Sequence, residues 1–417
     1  MFGKIRVYTK DTFSSFEVHN YRLYFLGQGI SLTGTWMQTI AQTWLVLELT
    51  HSGTAIGLLV AAQFSPVLLL GPIGGVIADR FPKRRLLYIT QSSAMLLAFI
   101  LGLLVLTHTV QVWMVFVLAS MLGLVTVFDN PARQTFVVEM VGPERLTNAV
   151  TLNGIALNLA RVIGPSVAAV LIAGVGMAYC FLLNSASYVV VLTSLALMHA
   201  SELRPAKPSE RIRGQLREGL VYVWNHPVLR STIWMLVIIG TFTYEFQVVM
   251  PLLASRTFHG GASTYALFTS AMSVGSVIGG VLAAGRLKAS QESLVRAAAL
   301  FGACMMVSAL APGTQFEAAL LVVVGLGSII FSALANSTLQ LATSPEMRGR
   351  VMSLWAVAFM GTTPLGGPVV GWVSDHASPR MGLVVGGVAA LVAAAVGWWS
   401  LRPAAHVRGV AERPVIQ

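Results

Sequence analysis

The stretch that decides the fold is residues 74–86, which read Gly-Gly-Val-Ile-Ala-Asp-Arg-Phe-Pro-Lys-Arg-Arg-Leu. These residues close one long apolar segment and open another, and they place an Asp and four cations in the short turn between them. Strongly basic turns between apolar segments are typical of the cytoplasmic loops of membrane proteins. The stretch therefore predicts a loop at the inner surface of a membrane.

The whole chain has the composition of a membrane protein. Of its 417 residues, 55% are hydrophobic and 10% are charged, and the mean hydropathy is +0.75. A transmembrane helix needs about 20 predominantly apolar residues, and such runs follow one another from Tyr21 to Leu401. The first 20 residues are charged and lack the apolar core of a signal peptide. We predict an all-α, polytopic membrane protein whose insertion relies on its first helix.

The formal net charge of +11 reflects topology. All but three of the 27 Lys and Arg residues fall at the termini or in alternate predicted loops, on one side of the membrane. Only Arg256 and Arg380 fall on the other side, and Arg161 lies within a span. This distribution places both termini in the cytoplasm, as expected for a multi-pass protein of the bacterial plasma membrane. It argues against nucleic acid as a partner and leaves membrane lipids as the surroundings of the chain.

The apolar runs predict twelve helices in two sets of six. Their predicted bounds are 21–49, 53–78, 86–107, 110–130, 146–174, 177–199, 228–254, 263–285, 293–312, 315–341, 349–374 and 380–401. We expect an N-terminal bundle at 1–199, a cytoplasmic linker at 200–227 and a C-terminal bundle with its tail at 228–417. Within the linker, helical spacing of Ile212, Leu216, Leu220 and Val223 predicts an amphipathic helix on the inner leaflet.

The two halves carry related sequences at an offset of roughly 200 residues, which indicates an internal repeat. Gly74-Gly75-Val76 is echoed by Gly279-Gly280-Val281, and each copy precedes basic residues. Pro143-Glu144-Arg145 is echoed by Pro345-Glu346 with Arg348 and Arg350 after it. Duplicated bundles with a substrate site between them are a secondary-transporter architecture.

The loop at 74–86 resembles the hallmark G-x-x-x-D-R-x-G-R-R/K motif of the major facilitator superfamily. Further stretches resemble its branch of enterobactin exporters and macrolide efflux proteins: residues 27–31 and 34–38, 130–134, 160–165, and 345–352. This resemblance implies a twelve-helix fold of two pseudo-symmetric six-helix bundles. Phe81-Pro82 stands where the motif often has Gly before its basic pair, so Pro fixes the turn. The second copy has Ala284 in place of Asp79.

The resemblance also implies a gate on the cytoplasmic side, which holds the two halves together in the outward-open state. In this gate Asp79 would lie near Arg80 and Arg133 and would face the N-terminus of helix 11, whose partial positive charge favours an anion. A merely solvated loop Asp is the alternative. The predicted gating residues are Gly74, Gly75, Asp79, Arg80, Lys83, Arg84, Arg85 and Arg133.

Helix 1 carries a polar stripe on one face. Its members, spaced three and four residues apart, are Gln28, Ser31, Thr35, Gln38 and Gln42. Polar groups in hydrocarbon need protein or water partners, so the stripe must face the bundle interior. It is a candidate lining of the substrate cavity, and hydrogen bonding between helices without substrate contact is the alternative.

Helix 5 repeats this pattern with Asn158 and Arg161, the one cation inside a predicted span. A buried guanidinium costs about 2.5 to 3.5 kcal/mol at the helix centre even on the lowest scale, and it usually marks a pathway or an internal pair. Two roles for Arg161 stay open. It could contact substrate in the cavity, or it could be tied to carbonyls or a carboxylate such as Asp129.

Glu245 lies well inside helix 7 and is the first candidate for proton coupling. Burial favours the neutral form of a carboxylic acid, so such a group can take up and release a proton as access alternates. Asp129, nearer a helix end, is the second candidate. A carboxyl group held by a neighbour without coupling is the alternative for Glu245.

Other function classes find little support in the sequence. The eight His residues fall in loops, tails or span ends, so no intramembrane metal site is apparent. Cys180 and Cys304 lie in apolar spans, and no phosphate-binding G-x-x-x-x-G-K-[ST] loop occurs. A channel or sensor would not need a duplicated gate with charged residues in the spans. We predict no enzyme activity and no cofactor.

Among transporters, the polar but weakly charged interior with its Met residues favours amphipathic substrates. We predict a secondary active exporter of drug-like or siderophore-like small molecules, working by alternating access in exchange for protons, with a single chain sufficing. An importer or uniporter of a small polar metabolite is the alternative.

Overall fold

The computed structural model describes residues 14–204, 215–286, 289–360 and 362–401. Ten positions within those ranges have a described backbone only: 72, 73, 76, 79, 215, 216, 284–286 and 360. The described chain is almost entirely helical and contains no strand. The prediction of an all-α protein is therefore confirmed.

Twelve helical segments of membrane-spanning length follow one another, and we number them α1 to α12. Their bounds are α1 His19–Thr50, α2 Gly53–Arg80, α3 Lys83–Leu106, α4 Val112–Val141, α5 Leu146–Gly174, α6 Ala178–Leu197, α7 Pro227–Thr257, α8 Ala262–Arg286, α9 Gln291–Ser308, α10 Thr314–Ala342, α11 Arg348–His376 and α12 Pro379–Leu401. All but α1 and α9 are long and apolar enough to cross a membrane by themselves. Those two carry more polar residues, so their place in the bundle depends on neighbouring helices.

Most predicted bounds agree with these helices to within three residues. Helix 9 ends at Ser308, four residues before its predicted end at 312. The larger exception is helix 4, whose predicted end is residue 130. The prediction is wrong: α4 continues to Val141. Pro131 has no N–H to donate to the carbonyl of Val127, four residues earlier. Helix α2 packs so close to that carbonyl that a Cβ at Gly74 would lie 2.4 Å from the oxygen.

The two halves pack alike, with α1–α6 forming the first half and α7–α12 the second. Helix α2 packs on α4 and α3 on α6, and in the second half α8 packs on α10 and α9 on α12. Both α2–α4 and α8–α10 meet at glycines. A Cβ at Gly279 would lie 2.8 Å from the carbonyl oxygen of Leu326, which matches the contact of Gly74. Small residues allow this backbone approach where no hydrophobic effect drives helices together.

The halves touch each other through α2 with α11 and α5 with α8. A Cβ at Gly57 would lie 2.2 Å from the carbonyl oxygen of Gly367, and one at Gly371 would lie 2.3 Å from that of Gly53. We call the side of the bundle that holds the α6–α7 linker the linker face, and the other side the opposite face. Every hydrogen bond that the described residues make between the halves lies in the part toward the opposite face.

The linker contains a helix at Gln215–Asn225, which leans on the second half. Glu218 forms an ion pair with Arg350 of α11 at 2.6 Å, and Val223 is buried. Leu220, one turn before Val223 on the same side of the helix, is exposed, and the position of this helix on the inner leaflet stays a prediction. Residue 212 and the side chain of residue 216 lie outside the described part of the chain.

The contact of Gly74 with α4 gives a test of the packing. A Cβ at Gly74 would lie 2.3 Å from Val127 Cγ1 and 2.4 Å from its carbonyl oxygen, whereas one at Gly71 on the same helix would meet nothing within 4 Å. We expect Gly74→Ala to destabilise the protein by about 1–3 kcal/mol, and Gly71→Ala to be neutral. Thermal unfolding of both variants in detergent measures this difference, and equal melting temperatures would contradict the close packing.

Candidate functional site

Helix α7 is broken in its middle, between the segments Pro227–Phe242 and Phe246–Leu252. The three residues of the break point to three different helices. The Thr243 hydroxyl donates to the carbonyl oxygen of Gly386 in α12 at 2.9 Å, and the Tyr244 hydroxyl donates to that of Ser328 in α10 at 2.7 Å. The third residue, Glu245, faces α11. Non-helical backbone at membrane depth is tolerated only where protein surrounds it or water reaches it.

Glu245 is 2% exposed, and its Oε1 atom has no hydrogen-bond partner. Its carboxyl group lies against two glycines of α11: a Cβ at Gly366 would lie 3.0 Å from Oε1, and one at Gly367 would lie 3.3 Å from Oε2. None of the described residues forms a salt bridge with it. An interior of this kind favours the protonated, neutral acid over the carboxylate. Gly367 also touches Gly57 of α2, so Glu245 lies directly behind the contact between the halves.

Asp129 has the opposite kind of surroundings. Its Oδ1 atom accepts hydrogen bonds from Thr90 Oγ1 and Gln91 Nε2 of α3, both at 2.7 Å. Its Oδ2 atom pairs with Arg133 one turn further along α4, and Arg133 also donates to Gln28 of α1. Two neutral donors and one cation therefore satisfy this carboxylate. The cluster ties α1, α3 and α4 together within the first half.

This cluster corrects two sequence interpretations. Arg133 was predicted in a cytoplasmic loop, but α4 extends past it and turns it toward Asp129 inside the bundle. Asp129 was considered as a partner for Arg161, but its cation is Arg133. The physical reason is the continued helix, since residues four apart on one helix are neighbours on its surface.

The polar stripe of α1 is buried at four of its five positions: Gln28, Ser31, Gln38 and Gln42. Gln28 accepts from Arg133, and Gln38 Oε1 accepts from Asn184 Nδ2 of α6 at 2.7 Å. Thr35 is exposed and donates to the carbonyl oxygen of Ser31. For Gln28 and Gln38 the structure thus shows the hydrogen bonds between helices that were the alternative to cavity lining. A substrate contact of this stripe stays a prediction.

On α5, Asn158 donates to the carbonyl oxygen of Gly154 at 2.9 Å, within its own helix. Arg161 is half-buried, and its guanidinium carbon lies 4.9 Å from the ring centroid of Trp36 on α1. Its Nε atom is buried without a partner, and no described carboxylate forms a salt bridge with it. Among the described residues, the closest compensation for this charge is therefore a ring face.

The opposite face is closed by Asp375 at the end of α11, a residue whose role the sequence did not show. Its carboxylate caps the first turn of α2 across the interface between the halves. The donors are the N–H groups of Gly53 at 2.7 Å and Thr54 at 2.8 Å, and the hydroxyl groups of Ser52 at 2.9 Å and Thr54 at 2.8 Å. A helix N-terminus attracts an anion because its first N–H groups are unpaired and its dipole is positive there.

Arg256 completes this contact, which we call the opposite-face latch. Its guanidinium pairs with Asp375 at 2.9 Å and donates to the carbonyl oxygen of His51, the residue that ends α1. The only signal in the sequence was that Arg256 is one of two cations on the far side of the predicted membrane. Its partner lies more than a hundred residues away and could not be found from spacing.

The stretch at 74–86 differs in detail from its prediction. The turn consists of Phe81 and Pro82 alone, because α3 already begins at Lys83. Arg84 donates to the carbonyl oxygens of Leu195 and Ala196 and so caps the end of α6. Gly75, Arg80 and Arg85 belong to the helices on either side of this turn. The side chain of Asp79 lies outside the described part of the chain, so its gating role stays a prediction.

No group of three or more His, Cys, Asp or Glu side chains that could hold a metal ion occurs among the described residues. Residues 10–411 match the family of transmembrane secretion effectors within the major facilitator superfamily. The chain belongs to that family. It is a multi-pass membrane transporter and not an enzyme, and the superfamily resemblance seen at 74–86 is confirmed.

Its relatives are bacterial transporters of low identity. The chain is 26% identical to the multidrug efflux pump Tap of Mycolicibacterium fortuitum, over 82% of this chain and 86% of that protein. It is 24% identical to the enterobactin exporter EntS of Citrobacter koseri, over 88% of each. It is also 24% identical to the staphyloferrin A transporter of Staphylococcus aureus, over 62% of this chain and 65% of that one.

Solved structures share the fold. A mutant form of the nucleoside transporter NupG superposes with a TM-score of 0.75 at 12% identity, over 92% of this chain and 99% of that one. A bacterial homologue of the lysosomal transporter Spinster, in an inward-facing and unoccupied conformation, gives a TM-score of 0.70 at 13% identity, over 92% and 96%. The twelve-helix major facilitator fold is therefore confirmed.

The opposite-face latch predicts how the halves respond to loss of one charge. Asp375→Asn keeps one acceptor oxygen but loses the other and the ion pair with Arg256, which should weaken the closed contact by about 1–3 kcal/mol. Spin labels at positions 108 and 313, in opposite-face loops of the two halves, should then report a larger population at long distance. Cys180 and Cys304 are first replaced by Ser.

Glu292→Gln serves as the matched control, since it removes an exposed ion pair with Arg296 inside the second half. It should leave the distances between the labels unchanged. If Asp375→Asn leaves them unchanged too, the latch does not hold the halves together.

The Asp129 cluster predicts a rescue. Asp129→Asn leaves the Arg133 guanidinium without its carboxylate, and breaking such a pair from one side costs about 3–5 kcal/mol when it is buried. The double variant Asp129→Asn with Arg133→Gln removes both charges and should recover most of that loss. Thermal unfolding in detergent measures both variants. If the double variant is as unstable as the single one, the pair is not the tie between α1, α3 and α4.

Proposed function

We propose that this transporter is a secondary active exporter of small amphipathic molecules, drug-like or siderophore-like, which it exchanges for protons. The observation that carries the proposal is the position of Glu245. It is a buried carboxyl group without a cation among the described residues, in a break of α7, and it packs directly behind the α2–α11 contact. The names of the relatives, which include efflux pumps and a siderophore exporter, support the direction and the substrate class.

The geometry suggests how a proton would be coupled to alternating access. A neutral Glu245 allows Gly366 and Gly367 to pack tightly, and with them α11 against α2. A charged Glu245 in the same place would need water or a cation, and there is no room for either while the glycines are in contact. Loss of the proton therefore favours separation of α2 from α11, which would open the opposite face.

The sequence places the linker face in the cytoplasm through the distribution of cations. The described conformation, closed on the opposite face, is then the inward-open side of the cycle. A proton leaves Glu245 toward the cytoplasm, the loaded transporter opens outward, and a proton from outside restores the closed contact. Asp79 would act in the other phase, as the gate on the linker face. One chain contains all of these parts, so the proposal requires no second subunit.

Asp129 is the weaker candidate for the proton. Its carboxylate already has a cation and two neutral donors, all of them in the first half. A carrier must exist in both forms during each cycle. The cluster instead keeps the first half rigid while the second half responds to Glu245.

Glu245→Gln tests this assignment, because the amide mimics the protonated acid and cannot release a proton. In inside-out vesicles we expect it to abolish accumulation driven by a pH gradient and to retain exchange of substrate for substrate at equal concentrations. Glu317→Gln is the control, since Glu317 is also a buried acid of the second half but accepts a hydrogen bond from Ser308 at 2.8 Å, away from α11. Gradient-driven accumulation by Glu245→Gln would rule out the proposed role, and inward accumulation by the unaltered protein in cells would favour an importer.

A further inference from the structure

Four aromatic side chains and one arginine lie on helices α1, α5, α7 and α11 of the two halves. Arg161 lies 4.9 Å from the centroid of Trp36 in the first half. The ring of Tyr244 lies 4.7 Å from that of Phe359 on α11, and Phe359 stacks on Trp355 at 5.5 Å. We call these five residues the aromatic row.

Two polar atoms of the aromatic row are buried without hydrogen-bond partners. They are Nε of Arg161 and Nε1 of Trp355, and both are donors. The Tyr244 hydroxyl, by contrast, is bound to Ser328. Buried donors in native proteins almost always have a partner, and an unpaired one calls for an explanation such as a missing ligand. Each half of the transporter therefore contributes one donor that lacks an acceptor.

The positive charge of Arg161 also lacks a partner. Arg133 and Arg256 each have an Asp as partner, whereas no described carboxylate pairs with Arg161. A ring face attracts a cation but does not neutralise it. An uncompensated charge inside a membrane protein is costly and is retained where it serves a pathway or a ligand. The missing counter-charge would come from the transported molecule.

We propose that the aromatic row is a substrate subsite and that it selects aromatic molecules that carry a carboxylate or phenolate group. The rings stack on the apolar body of the molecule, Arg161 pairs with its negative charge, and Trp355 donates to a second acceptor. All five side chains are half-buried. The proposal rests on the transport function proposed above and adds the sign of the charge that the site prefers.

Two xanthene dyes of similar size and opposite charge test this preference. Fluorescein is the anionic probe and rhodamine 6G the cationic probe, and fluorescence polarisation measures the binding of each to the full chain in lipid nanodiscs. The unaltered protein should bind fluorescein at least about tenfold more tightly, since a charged hydrogen bond changes affinity by a factor of that order. Arg161→Gln should remove this preference, and Arg161→Lys, which keeps the charge, should retain much of it.

Trp355→Phe keeps the ring and removes the N–H group, so it should weaken fluorescein binding several-fold and leave rhodamine 6G unaffected. Arg230→Gln is the matched control, because Arg230 also lies over a ring, that of Trp224 at 5.9 Å, but on the exposed surface. It should bind both dyes like the unaltered protein. Equal binding of both dyes, tighter binding of rhodamine 6G, or a preference that Arg161→Gln leaves intact would overturn the proposal.

Binding in nanodiscs needs no gradient, so the subsite and the exporter function can fail separately. If the fluorescein preference depends on Arg161 but a pH gradient does not drive fluorescein out of cells, the subsite stands and proton-coupled export is wrong. If a gradient drives the export of rhodamine 6G while fluorescein does not bind, export stands and the anionic subsite is wrong. An Arg161 variant is used only if its melting temperature and elution volume match those of the unaltered protein. If Arg161→Gln does not fold, Trp355→Phe tests the subsite in its place.

Discussion

The contact of α2 with α11 holds the two halves of this transporter together toward the opposite face. Two pairs of glycines bring the backbones together, Gly57 with Gly367 and Gly53 with Gly371. Such an approach excludes water, and every polar group beside it must find its partner within the protein. Asp375 is such a partner at the start of α2. It accepts hydrogen bonds from backbone N–H groups of the first turn, which have no acceptor within the helix.

The same contact links the interface between the halves to the interior of the second half. Gly367 lies against both Gly57 of α2 and the carboxyl group of Glu245. In the proposed proton exchange, a change in the charge of that carboxyl group would therefore act on this contact directly. The break of α7 makes this possible, because its three residues reach α10, α11 and α12 from a single point.

Pairing of charges distinguishes the rigid parts of the bundle from those that could change partner. Asp129 and Arg133 satisfy each other and hold three helices of the first half. Glu245 and Arg161 form no salt bridge with a described residue, and each has a buried polar atom without a hydrogen-bond partner. In the proposed exchange, a proton would neutralise the one and an anionic substrate the other.

The sequence by itself determined the twelve helices, because a membrane demands long apolar runs and leaves little choice of structure within them. It also determined the family, through the turn at 74–86, and singled out Glu245 and Arg161, because a charge inside an apolar run is conspicuous. It could not show that α4 continues through Pro131 to Val141, since a proline can either break a helix or only kink it. The tertiary structure alone decided the partners: Arg133 for Asp129, Arg256 for Asp375, and the aromatic row for Arg161. These partners lie on different helices, or on a helix whose end the sequence did not predict. The distances between them depend on how the helices pack. Spacing along the chain does not determine that packing.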